Sequence, residues 1–281
     1  MKFKSHCKIN LFLHITGKRP NGYHELQSLF YFPEIYDEIE FLDDKKNEFL
    51  IDGKFARDLS PEKKDNLIFK AYSLLKILFS LQIPDLSIKL TKNLPVASGI
   101  GGGSANAATI LRELNNIYGL HLSLNQLYKI GMRIGADVPA CILSQTCLAE
   151  GIGEIISPIK DFPKLNILLV NPLTPVSTSE IFKMGFNEFS KPTSHDLSFL
   201  KTQSLIDFLE STKNDLEVNA KQIAPQITEV LNLIEKQPGC LLNRMSGSGA
   251  TCFGIFETSD AALIAKENIS KIKPGWWVEA G

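Results

Sequence analysis

Residues 95–108, Pro-Val-Ala-Ser-Gly-Ile-Gly-Gly-Gly-Ser-Ala-Asn-Ala-Ala, place four glycines among small side chains. A backbone stripped of side chains can approach phosphate oxygens. After the loop, Ala107, Ile110, Leu111, Leu114 and Ile117 recur at helical spacing until Gly119, so the loop opens a helix. Unpaired amides and the positive end of the helix dipole then form an anion site. The same composition also makes a tight turn with close helix packing, and the loop alone does not separate the two. It is not a Walker A loop, because Gly103 is followed by Ser104 and Ala105 with no lysine. Nor is it a dinucleotide fingerprint, whose acidic residue is missing near 120–126.

Asp137 lies two residues after Gly135 and just before Val138-Pro139. That position suits a helix N-cap whose carboxylate accepts backbone hydrogen bonds. A carboxylate beside a substrate alcohol can also accept or orient its proton during phosphoryl transfer. Lys8 reads either as a surface lysine or, near a triphosphate, as the cation that offsets charge on the transferring group. Tyr23 and His24 follow a Gly/Pro/Asn-rich stretch, so they sit in a loop, where an aromatic face can stack on a base and a neutral imidazole can both donate and accept. A solvated pair is the other reading. A second small-residue turn, 246–250 (Ser-Gly-Ser-Gly-Ala), could close over the first or simply pack as a turn. His6, His14, His121 and His195 have no metal-ligand spacing, so no metal site is assigned.

These residues need positioning elements. Cys7, Ile9, Leu11, Leu13 and Ile15 alternate with Lys8, Asn10, Phe12 and His14, the pattern of a half-buried strand with Lys8 and Asn10 on one face. Strands are expected at 26–32, 37–42, 48–51, 86–91 and 165–170. Helices are expected at 66–81, capped by Asp65 or Asn66, and from Ser123 to about Ile134 ending at Gly135. Helical spacing returns at 215–236 and 258–272, and 243–256 reads as a turn leading into a strand. Residues 185–196 read as an irregular excursion.

With 281 residues, two domains are expected, divided at the 158–163 connection into 1–160 and 161–281. Thirty basic residues against 31 acidic ones leave no general attraction to nucleic acid or to anionic membranes. No apolar run spans a bilayer and the start alternates polar and apolar, so a cytoplasmic protein with no membrane partner is expected. Cys7, Cys141, Cys147, Cys240 and Cys252 are odd in number and widely spaced, which predicts buried thiols rather than disulfides or structural zinc.

Taken in order, 8–26 (KINLFLHITGKRPNGYHEL), 95–108, 135–139 (GADVP) and 246–250 resemble one family along the whole chain. That family is the 4-diphosphocytidyl-2-C-methyl-D-erythritol kinases, a branch of the GHMP kinases in non-mevalonate isoprenoid biosynthesis. The tyrosine-histidine loop favours this branch over mevalonate or homoserine kinases. The resemblance implies ATP-dependent phosphorylation of the acceptor's 2-hydroxyl with Mg2+, and a small-molecule partner carrying a cytidine diphosphate group. Lys8 and Asp137 match the catalytic pair. Pro95, Val96, Ala97, Ser98, Gly99, Ile100, Gly101, Gly102, Gly103, Ser104 and Ala105 match the ATP-phosphate loop, and Asn66 a position near adenosine. Asn10, Tyr23, His24, Thr178 and Phe182 match the acceptor side, with the cytosine between Tyr23 and Phe182 and its edge read by His24.

The fold so implied is α+β. It has an N-terminal unit like the second domain of ribosomal protein S5 and a C-terminal ferredoxin-like unit, with the active site in the cleft between them, in a monomer or weak homodimer. His6-Cys7 departs from the usual Pro-Ala, and Ser98, Ala105 and Asn106 from the usual glycine, serine and aspartate. Ser98 carries its Cβ without strain only if its φ is negative. Another GHMP kinase acting on mevalonate, homoserine or a sugar, or a non-catalytic nucleotide-binding regulator, are the rival readings. Retention of both Lys8 and Asp137 argues against the regulator.

Overall fold

The computed structural model describes residues 1–42, 47–59, 66–193, 197 and 201–281. Twelve strands and nine α-helices follow one another along them. The first half runs β1 (Lys2–His6), β2 (Ile9–Lys18), β3 (His24–Tyr31), β4 (Tyr36–Leu42), β5 (Phe49–Asp52), α1 (Leu67–Leu78), β6 (Ser87–Thr91), α2 (Gly102–Ile117), α3 (Leu124–Met132) and α4 (Val138–Leu143). The second half runs β7 (Cys147–Gly151), β8 (Ile155–Pro158), β9 (Asn166–Asn171), α5 (Thr178–Met184), α6 (Thr202–Glu210), α7 (Glu217–Ile223), α8 (Gln226–Glu235), β10 (Cys240–Met245), β11 (Cys252–Phe256), α9 (Ser259–Ile272) and β12 (Trp277–Ala280).

Two compact units interleave along the chain. The first comprises Met1–Lys8, Tyr36–Val96 and Gly101–Ser144; the second comprises Ile9–Ile35, Ala97–Ile100 and Gln145–Gly281. In the first, the sheet order is β1-β4-β6-β5, with β5 parallel to β6 and the other pairs antiparallel. Helix α1 buries Ile68, Ala71, Tyr72 and Leu75, the i, i+3, i+4, i+7 stripe of an amphipathic helix, and packs on α2. Its N-cap is Asn66, whose side chain accepts from the Ile68 amide at 2.9 Å; Asp65, the alternative cap, lies outside the described residues. Ser123 and Gln126 form a reciprocal capping box on α3, as the Ser-x-x-Gln spacing allows.

The second unit holds the sheets β2-β3-β7-β8 and β10-β11-β9-β12. On the latter pack α8, through Ile227, Val230, Leu231 and Ile234, and α9, through Ala262, Ala265 and Ile269. Leu13 and Ile15 of β2 belong to the same core cluster as Leu168, Val170, Cys252 and Val278.

Three expectations change. Strand β2 is buried on both faces, Asn10, Phe12 and His14 included, because the alternate face packs Phe12 edge-on against Phe208 and beside His14. Lys8 lies in the break between β1 and β2, not within a strand. The 215–236 stretch is two helices separated at Pro225, whose ring cannot continue a helix interior. The five cysteines carry no disulfide; four are buried and Cys240 is half-buried, with burial pushing its thiol up to about 11. No described helix is long and apolar enough to cross a membrane.

Candidate active site

In the first unit the Lys8 ammonium sits 3.2 Å from Asp137 Oδ2; the lysine side chain is buried, and the aspartate side chain is 38% exposed. Asp137 occupies the N-cap position of α4, but its backbone is helical and its carboxylate makes no capping bond. The carboxylate therefore faces the cation rather than the helix end. Gly101 stacks directly on the lysine: a Cβ there would fall 2.8 Å from Lys8 Cγ. With φ +64 it is also the left-handed N-cap of α2. The first main-chain bond of α2 is donated by Ala105 to Gly101, so the amides of Gly102, Gly103 and Ser104 have no partner within the helix. Those amides at the positive end of a 16-residue helix, beside a buried ammonium, can hold an anion.

Beneath this loop is a buried cluster that sequence reasoning did not single out. Asp37, fully buried on β4, accepts from Lys92 Nζ at 2.5 Å, from the amides of Asn93 and Leu94 at 2.7 and 2.8 Å, and from Asn106 Nδ2 at 3.0 Å. One carboxylate thus ties the end of β6, the lead into the glycine loop and the second turn of α2. Burial pushes the Lys92 ammonium below its usual range, against the pull of Asp37. Asn66 opens α1 in the same unit, and its neighbour Leu67 lies 3.5 Å from where a Cβ on Gly103 would be.

In the second unit, Ala97–Ile100 interlocks with the 246–250 turn. A Cβ on Gly99 would lie 2.4 Å from Ser246 O, and one on Gly247 would lie 2.6 Å from Gly99 O. Ser246 Oγ donates to Gly99 O at 3.1 Å and accepts from the Asn10 amide at 3.1 Å; Thr251 N donates to Ser98 O. Asn214 Nδ2 holds the carbonyls of Met245 and Gly247, each at 2.8 Å. Ser98 is not among the residues of positive φ, so its Cβ carries no left-handed strain; in this loop the positive φ falls on Ala97, Gly99 and Gly101.

The residues expected on the acceptor side fall in the same second unit. Thr178 Oγ1 meets Ser248 Oγ at 2.7 Å, and Asn10 Nδ2 donates to Ser28 at 2.9 Å. His24 lies 5.0 Å from Phe182 with the rings tilted by 31°, and 5.2 Å edge-on from Phe186. Burial, then Lys18, pushes its imidazole below the usual range. Tyr23 is 62% exposed; Phe182 packs against His24 and Phe186.

Residues 66–145 match the model of the GHMP kinases N terminal domain and residues 199–274 that of the GHMP kinases C terminal region. A 4-diphosphocytidyl-2-C-methyl-D-erythritol kinase from Mesorhizobium japonicum is 42% identical over 280 residues, covering 98% of this chain and 93% of the relative. The chain belongs to the 4-diphosphocytidyl-2-C-methyl-D-erythritol kinase family of GHMP kinases. The crystal structure of a 4-(cytidine 5'-diphospho)-2C-methyl-D-erythritol kinase superposes on this GHMP kinase with a TM-score of 0.81 at 26% identity, covering all of this chain and 98% of the other. A Methanococcus jannaschii mevalonate kinase reaches 0.67 at 12% identity, over all of this chain and 97% of the other, and carries the fold alone. The α+β kinase fold expected from the sequence is thereby established.

Proposed function

We propose that this kinase transfers the γ-phosphoryl group of ATP to the 2-hydroxyl of 4-diphosphocytidyl-2-C-methyl-D-erythritol, giving the 2-phosphate and ADP. The observation that carries the reading is the Lys8–Asp137 pair at 3.2 Å with Gly101 against the lysine at the start of α2, in a chain 42% identical to a kinase of that name. The acceptor oxygen forms the new bond to the γ-phosphorus as the bond to the ADP oxygen breaks. Asp137 accepts or orients the hydroxyl proton and Lys8 offsets charge on the transferring group; a loose transition state relies mainly on such positioning and electrostatics. The loop from Pro95 to Ala105 would hold the phosphates, Asn66 the adenosine, and Asn10, Tyr23, His24, Thr178 and Phe182 the acceptor. A linear boundary near 160 also belongs to this reading; it lies within the Gln145–Gly281 stretch of the second compact unit.

Magnesium belongs to this reading as the ion carried by the nucleotide, where it would supply charge neutralisation. The donor chemistry fits: Ser104 offers a hydroxyl in the first turn of α2. Mg2+ is commonly held by phosphates and water with one or two protein oxygens.

With purified protein and Mg-ATP, the cytidine diphosphate acceptor should yield ADP, whereas mevalonate, homoserine and galactose should give only background. Equal turnover of any of these three would overturn the substrate assignment. Asp137→Ala should cut kcat by about 10²–10⁴-fold while ATP binding persists. An active D137A enzyme would remove Asp137 from the chemistry.

A further inference from the structure

Phe186 was not among the residues singled out in the sequence, yet it completes an aromatic corner around His24. Its ring lies 5.2 Å from the imidazole at 73°, and 5.8 Å from Phe182 at 70°, while Phe182 is tilted by 31° against the imidazole at 5.0 Å. Two phenyl rings thus flank the histidine, one tilted and one edge-on. The terminal torsion of a histidine is broad, so an imidazole in open surroundings samples many ring planes. Rings on two sides narrow that range.

The corner is itself fixed. Helix α5 ends at Gly185, whose φ of +76 turns the chain so that Phe186 leaves the helix axis. The Gly185 carbonyl accepts from Asn219 Nδ2 at 2.9 Å. Further along, the chain is pinned again at Ser190, whose amide donates to Ile15 O at 2.8 Å. Phe182 and Phe186 both pack on the core that contains Ile181 and Ala220.

We propose that Phe186 is a specificity-positioning residue: it holds the plane of His24 so that a ring nitrogen stays aligned on the pyrimidine edge of the acceptor. This rests on the reading above that His24 faces the base. Cytosine offers an amino donor where uracil offers a carbonyl acceptor. A neutral imidazole has one donor and one acceptor nitrogen. Held in one plane, the ring keeps a nitrogen aligned on the group in which the two bases differ; released to swing, it aligns on neither and the preference is lost. Buried polar groups left unpaired are what give such sites their selectivity.

The test compares kcat and KM for the cytidine diphosphate acceptor, its uridine diphosphate analogue and ATP in the wild type, Phe186→Ala, Phe186→Leu, Phe186→Tyr and His24→Ala. Phe186→Ala should raise the acceptor KM about three- to tenfold, the scale of one aromatic contact, with kcat and the KM for ATP little changed. The preference for cytosine over uracil should fall by about tenfold. Phe186→Leu, which keeps the bulk that packs on the core, should lose the preference as well, and Phe186→Tyr, which keeps the ring, should retain it. Full preference in a folded Phe186→Leu enzyme overturns the proposal if His24→Ala has lost it. Full preference in His24→Ala overturns the base-reading role of His24 and this inference with it.

Discussion

Gly101 and Gly103 stand two residues apart in one loop, and a methyl group would meet different surroundings at each. At Gly101 it would fall 2.8 Å from Lys8 Cγ with φ at +64, combining a clash on the lysine proposed to be catalytic with left-handed strain of about 1–2 kcal/mol. At Gly103 the nearest neighbour is Leu67 at 3.5 Å, an ordinary contact. Gly101→Ala should therefore lower both thermal stability and kcat, whereas Gly103→Ala should melt like the wild type and raise the KM for ATP, because its methyl stands where phosphate would approach. Thermal melts and initial rates of the two variants check this. Asp37→Asn addresses the clasp below: removing one charge of a buried pair costs about 3–5 kcal/mol, to be read by denaturant unfolding, and the variant should also bind ATP more weakly because Asn93 and Leu94 lose their charged acceptor. Asp37 was legible in principle. In β4 it shares the buried phase with Ile39 and Phe41, and Lys92 continues the phase of Ile88 and Leu90. A charge on the apolar phase of an alternating strand signals a buried partner. Spacing could not say which partner.

At the scale of elements, the two small-residue turns act as one unit. Ser246 is fully buried and bonds both Gly99 O and the Asn10 amide. Ser246→Ala leaves that buried amide without its acceptor, which should destabilise the protein by about 1–3 kcal/mol, measured as a lower denaturation midpoint at unchanged slope. The pairing of these turns follows from glycine positions whose Cβ would strike the opposite backbone, and a sequence reports the glycines without reporting what they face. Elements with strong local signals were readable: the Ser123 box of α3, the run of α2 up to Gly119, the stripe of α9. Strands β1, β7, β8, β10 and β12 were not. Four of these five form edges of their sheets, and CLAEG, IISP, CLLNRM and WVEA lack the alternation of a half-buried strand. Pairing partners distant in sequence define them. Helix α5, which carries Thr178 and Phe182, is only seven residues long, too short to display a period.

For the molecule as a whole, the near balance of charge leaves its acid response to individual groups, and two histidines among the described residues bear on the mildly acidic range. His14 is pushed below its usual range by burial, with Lys213 and Arg244 acting in the same direction and Asp215 opposing; His24 is pushed down by burial and Lys18. In both, the folded state favours the neutral ring more than the unfolded chain does. The unfolded state then binds more protons as the pH drops below the ordinary imidazole value of about 6.5, and stability rises with pH across that window. The lowered carboxyls of Asp52 and Glu154 act at lower pH, where their stabilisation is lost as they protonate. The melting temperature should therefore fall between pH 7 and pH 5.5, before the carboxylates contribute. His14→Gln and His24→Gln, neutral throughout, should each flatten that fall, and the double variant should flatten it most. A slope unchanged in the double variant would assign the acid sensitivity to other groups. Because His24 also lies against Phe182 and Phe186, loss of acceptor affinity should accompany its protonation, whereas His14, on β2 beside Phe12, should affect stability alone.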